Sequence, residues 1–163
     1  MRESGCLVNQ KKEGMIMNLK KCIFHTPDGD ELSLTDISYL KPKMIGDFNN
    51  YWSIGSGDGL MEYYDESGNN TSSLIIETNT DCGIYLHYME NISYKDRKDL
   101  LSLYDETELS VVVEGADEIY ASKGLFLPLE LAWEGICYFV SYGKPFSKIK
   151  WITPDDIPDD GNW

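Results

Sequence analysis

The chain has 163 residues and a mass of 18.6 kDa, the length of one ordinary domain. Its composition, 42% hydrophobic and 26% charged, excludes global disorder. The 28 acids against 14 lysines and arginines leave a net charge of −14, which repels nucleic acid and anionic lipid. A partner of nucleic-acid-binding proteins is not excluded by that charge. A chain this long buries roughly 70% of its unfolded surface and needs no metal or disulfide to hold it together.

The chain opens on a polar stretch, with no apolar core of a signal peptide and no run near the ~20 residues that span a bilayer. Residues 1–17 are expected to be a polar, disordered leader, with Met15 and Met17 as alternative starts, and 18–153 the domain proper. Alternation marks a first strand over Asn18–His25, and Thr26-Pro-Asp-Gly-Asp30 a turn into a short strand over Glu31–Leu34. Thr35–Leu40 suits a short helix capped by Thr35 and ended by Lys41-Pro42. Tyr51–Ile54 and Leu60–Tyr64 are expected to be strands joined by the glycine-rich segment Gly55–Gly59.

A polar loop follows at 65–72, and Ser73–Thr78 and Gly83–Met89 are β-rich by composition. Residues 90–106 are expected to be a polar connection with a helical turn around Tyr94–Tyr104, and Glu108–Glu114 and Glu118–Ala121 a hairpin. One helix stands out, from Pro128 to Tyr142: proline opens it, Gly143 falls past its end, and an apolar stripe runs through Leu129, Ala132, Trp133, Ile136, Phe139 and Val140. Ser147–Ile152 supplies a last strand and 154–163 an acidic tail. The expected fold is α+β: a mostly antiparallel β-sheet meander with one late C-terminal helix packed on it.

The charge is uneven. Residues 1–57 are neutral overall, 58–118 carry −12, and 119–163 carry −2. Solubility accounts for such an excess, and so does a face complementary to a basic protein, which speeds association by electrostatic steering.

No local pattern points to catalysis or to a cofactor. Gly55-x-Gly57-x-Gly59 lacks the lysine of a phosphate loop and carries Asp58. The cysteines at 6, 22, 82 and 137 have no metal-ligand spacing, and reduced thiols in a cytosolic protein are expected. His25 and His87 could serve as bases for Cys82 or Cys6, but a hydrolase needs such a pair within hydrogen-bond reach. The adjacent acids Asp65/Glu66, Asp105/Glu106 and Asp155/Asp156 suit solvated loops, and no EF-hand surrounds Asp28 and Asp30. Aromatics are plentiful near the acids and serve either the core or an interface.

The segment 127–151 resembles the end of the Imm-one family of bacterial polymorphic-toxin immunity proteins. Pro128, Ala132, Phe139, Gly143, Pro145 and Trp151 match its proline-started helix, glycine–proline turn and tryptophan-closed strand. The stretch from Trp52 to Asp65 resembles that family's glycine-rich hairpin, so the likeness covers about two-thirds of the chain. The resemblance implies a non-enzymatic cytoplasmic protein, without cofactor or metal, that occludes the basic active site of a cognate toxin, a nuclease or nucleic-acid deaminase. The expected contact face joins Asp58, Glu62, Asp65 and Glu66 with Trp52, Tyr63, Tyr85 and Tyr88, while Trp133 and Trp151 belong to the core. The alternative is a small-molecule-binding or scaffold module with an acidic surface, for which an apolar pocket would be the sign.

Overall fold

The computed structural model describes residues 21–163, so Asn18–Lys20 of the expected first strand and the expected leader lie outside the described residues. The elements in chain order are β1 (Lys21–His25), β2 (Glu31–Leu34), a short helix α1 (Phe48–Tyr51), β3 (Gly59–Tyr64), β4 (Asn70–Asn79), β5 (Gly83–Asn91) and β6 (Arg97–Leu103). They are followed by β7 (Val112–Glu114), β8 (Tyr120–Ser122), β9 (Phe126–Leu127), the long helix α2 (Leu129–Tyr142) and β10 (Lys150–Ile152). Eight strands form one antiparallel sheet in the order β10-β6-β5-β4-β3-β1-β2, with β9 also pairing with β5, and β7–β8 form a separate hairpin. The run β3-β4-β5-β6 is the expected meander, and the fold is α+β.

One face of the sheet carries Phe24, Met61, Leu74, Ile76, Ile84, Leu86 and Tyr88 into the main core. α2 covers it with Ala132, Trp133, Ile136, Phe139 and Val140, helped by Ile37, Leu40, Met44, Phe48 and Trp52 from the segment ahead of β3. α2 begins just after Pro128 and ends at Gly143, whose left-handed φ of 64° is a conformation that glycine tolerates best. The Gly143 carbonyl accepts a hydrogen bond from Ser72 Oγ at 2.7 Å, which ties the helix end to β4.

The second face has its own smaller core: Tyr85, Leu101, Ala121, Leu125 and Phe126, with Val113, Ile152 and Ile157 packed against it. The hairpin β7–β8 and the C-terminal segment close over this part. Residues 154–163 are therefore docked: the Ser122 N–H donates to the Asn162 carbonyl at 2.8 Å, the Asn162 N–H donates to Ser122 Oγ at 2.9 Å, and the Trp163 ring meets His87 edge-on with centroids 5.4 Å apart. Burial follows from this two-sided cover. β4 alternates along most of its length, but Ile76, Glu77 and Thr78 are all buried, and in β5 every residue from Ile84 to Tyr88 is buried.

Three expected elements differ. Tyr51–Ile54 closes α1 and turns rather than forming a strand, because Trp52 inserts beneath the sheet and donates Nε1–H to the Met44 carbonyl at 3.0 Å. Gly55–Gly59 therefore joins a helix to a strand. The helix expected at Thr35–Leu40 is a single 3-10 turn over Ser38–Leu40, preceded by Asp36, whose Oδ1 accepts the Ser38 N–H at 2.9 Å. The polar connection 90–106 contains β6, in which only Leu101, Ser102 and Leu103 are buried. The cysteines also depart from expectation: Cys22 and Cys82 are free thiols, whereas Cys137 is disulfide-bonded.

Ser102 has a specific task. Its hydroxyl accepts the Leu86 N–H at 3.0 Å and donates to the Leu125 carbonyl at 2.8 Å, filling the gap where β5 changes partner from β6 to β9. Ser102→Ala leaves both backbone groups buried and unpaired, and costs about 2 kcal/mol in urea unfolding. The same variant speeds amide exchange at Leu86; unchanged exchange there would contradict the bridging role.

Candidate binding surface

The structure separates the eight residues of the expected contact face. Trp52, Tyr63, Tyr85 and Tyr88 are all at most 6% exposed, so none of them presents an anchor to a partner. This corrects the expectation, and the cause is packing on both sides of the central strands. Tyr63 and Tyr88 meet Phe139 of α2 edge-on, while Tyr85 meets Phe126 in the second core. Trp133 is buried and Trp151 half-buried against the main core, as expected. Among the described aromatics, Tyr39, Tyr94, Tyr104, Tyr120, Tyr142 and Trp163 are exposed instead.

The four acids remain accessible to different degrees. Glu62 is half-buried on the sheet face away from α2 and spends both oxygens within the fold, one 2.6 Å from His25 Nε2 and one accepting from Asn70 Nδ2 at 3.1 Å. Asp65 holds the β3–β4 turn, accepting the N–H groups of Ser67 and Asn69 at 2.8 and 3.0 Å. Glu66 is exposed beside it. Asp58, half-buried at the start of β3, forms no ion pair among the described residues.

A different cluster gathers around Asp58. The register Gly59↔Ile76 places Asp58 beside Glu77 across β3 and β4. The turn between β7 and β8 brings Asp117 to the same place; Asp117 and Glu118 both have left-handed φ, at 54° and 58°, which is uncommon outside glycine. The turn is fastened by Asn79 Nδ2, which donates to the Glu114 carbonyl at 2.8 Å. Glu77 is 8% exposed, and its Oε2 has no hydrogen-bond partner. Burial, reinforced by the carboxylates of Asp58 and Asp117, pushes the Glu77 carboxyl up to about 8. The Tyr85 hydroxyl, opposite Glu77 on β5, is likewise buried and unpartnered.

Next to this cluster lies a cleft of about 310 Å³, walled by Phe48, Trp52, the Gly55–Gly57 loop, Thr78, Glu114 and Asp117. Among the described residues Glu31, Glu62, Glu90, Asp99, Glu106, Glu108 and Glu130 each face a basic side chain, whereas Asp58, Glu77, Glu114 and Asp117 face none, and neither do Asp65, Glu66, Asp81, Asp96, Asp105 and Glu118 of the same acidic stretch 58–118. Sequence reasoning found Asp58 but missed Glu77 and Asp117. The available signal was a lone carboxylate in the otherwise apolar run Leu74-Ile-Ile-Glu-Thr78.

Other chemistry is less developed. His87 Nε2 lies 2.7 Å from Asp99 Oδ1, and burial holds the imidazole below its ordinary range despite that carboxylate. His87 is not hydrogen-bonded to Cys82, whose thiol is pushed up by burial, the reverse of an activated nucleophile. No group of three or more His, Cys, Asp or Glu side chains among the described residues is arranged to hold a metal ion. No helix among them is long and apolar enough to cross a membrane. No family model matches the chain, and no curated protein or solved structure proves similar to it.

Proposed function

We propose that the chain is a non-enzymatic immunity protein that binds a cognate polymorphic toxin domain, a nuclease or nucleic-acid deaminase, in the bacterial cytoplasm and occludes its active site. The observation that carries this reading is electrostatic: most of the net charge lies in 58–118, and its carboxylates at Asp58, Glu77, Glu114 and Asp117 have no basic partner among the described residues. Unpaired carboxylates repel one another and weaken the fold, so a basic partner relieves them. Enzymes that grip phosphates offer such a surface. The residues of the family resemblance also support it, since Pro128 to Trp151 fold as one helix, a Gly143–Pro145 turn and the strand β10.

A small-molecule-binding module is the second reading, and the cleft beside Trp52 is the observation in its favour. Its volume of about 310 Å³ is at the low end for ligand pockets, and polar and main-chain groups dominate its wall. The immunity reading is tested by co-purification from the native bacterium at moderate salt. One basic toxin domain, held at near-equal stoichiometry and inhibited, is the expected result. Recovery of no partner, or of many weakly held basic proteins, overturns it.

A further inference from the structure

Asp58, Glu77 and Asp117 form an acidic corner graded from the surface inward: Asp117 is exposed, Asp58 half-buried and Glu77 buried. At its inner end the unpartnered Glu77 Oε2 marks an unfilled acceptor. A buried carboxylate oxygen without a partner is costly and calls for a donor. From this arrangement we infer that the corner is the seat of one arginine side chain presented by the partner protein, with Asp117 and Asp58 guiding the guanidinium and Glu77 receiving it. The inference rests on the immunity reading and names the contact by which the partner would be held.

The chemistry selects the occupant. A cation suits the corner, because Asp58 and Asp117 act on the protonatable Glu77 and none of the three is in an ion pair among the described residues. A bare metal ion needs several ligands within about 2.6 Å, and the described side chains form no such group. A guanidinium spreads five N–H donors over a plane, so it satisfies acceptors on different elements that a point charge cannot reach together. The acceptors here come from the residue that precedes β3, from β4 and from the β7–β8 turn. The cleft has Asp117 in its wall, together with Gly57 and Thr78, the chain neighbours of Asp58 and Glu77.

Binding is coupled to protons. The groups facing Glu77 are Asp58 just ahead of β3, Asp117 from the turn and Tyr85 from β5, with Asp99 beyond Tyr85. Burial, reinforced by Asp58 and Asp117, leaves Glu77 largely protonated at neutral pH, so an arriving guanidinium displaces a proton and binds more tightly as the pH rises toward 8 and above.

The test is a titration of the full chain with acetyl-Gly-Arg-Gly-amide, followed by the amide resonances of residues 57–58, 77–79 and 115–118, with the citrulline peptide and calcium chloride as parallel titrants. Saturable shifts are expected with the arginine peptide alone, tighter by about fivefold at pH 8 than at pH 6, and weakened by about fivefold in Glu77→Gln and in Asp117→Asn. Equal shifts with citrulline, unchanged binding in both variants, or the same shifts from calcium at lower concentration would overturn the arginine seat. A partner captured equally by wild type and by the double variant overturns the corner and leaves immunity standing. Failure to capture any partner overturns immunity, and the peptide titration still decides the corner.

Discussion

Replacing Glu77 by glutamine raises stability at pH 8 by about 1–3 kcal/mol and changes it by less than about 1 kcal/mol at pH 5. The native carboxyl holds its proton up to about pH 8, against 4.5 for an ordinary glutamate. Between those values the folded chain binds more protons than the unfolded one. The stability attached to this group is therefore complete below pH 4.5 and is lost as the pH rises through the folded value. A full conversion of that shift gives an upper bound of about 5 kcal/mol, which water reaching the half-buried neighbour Asp58 reduces. Glutamine keeps the shape, cannot ionise, and offers an amide to the carboxylates beside it. Thermal unfolding of both proteins from pH 5 to pH 8.5 checks this, and two parallel pH profiles would contradict it. A variant that gains stability while losing arginine binding would mark Glu77 as a site kept for function.

Gly55→Ala costs about 3 kcal/mol, the larger of two glycine effects that share a backbone sign. Gly55 has φ +59°, and a Cβ there would overlap the Pro27 carbonyl oxygen. That oxygen also accepts the Ser56 N–H at 3.0 Å, so the β1–β2 turn and the segment entering β3 are locked together main chain to main chain. Neither side can yield as a flexible side chain would. Gly68 is the control: its φ is +80°, but nothing lies within 4 Å of an added Cβ, so Gly68→Ala costs only about 1 kcal/mol. Urea unfolding of the two variants measures the difference, and equal losses would show that the Pro27 contact does not constrain the fold.

The parts of this fold legible in the sequence are those whose signals are local. α2 has its proline start, glycine end and apolar stripe within sixteen residues, and the structure places its ends within one residue of that reading. The strands β4 and β5 were visible as β-branched and aromatic runs. β6 was hidden because it opens on Arg97-Lys98-Asp99, which lies at the exposed end of the sheet, and its buried part is only Leu101–Leu103. Tyr51–Ile54 looked like a strand by composition, but the value of burying the Trp52 indole outweighed that preference. The aromatic half of the expected contact face failed for a related reason. Alternation along β5 tells which residues share a side, and it cannot tell that both sides are covered.

By itself the sequence determined the α+β class, the helix and its limits, the central strands, and the concentration of acids between 58 and 118. Those depend on spacing and composition within a few turns of chain. Only the tertiary structure decided which acids are spent inside the fold and which are left over. Glu62 finds His25 from 37 residues away, while Glu77 meets two more carboxylates brought by β3 and by a turn 40 residues on. Charge partnership is a matter of distance in space, and in an antiparallel sheet that distance is set by strand register rather than by order along the chain.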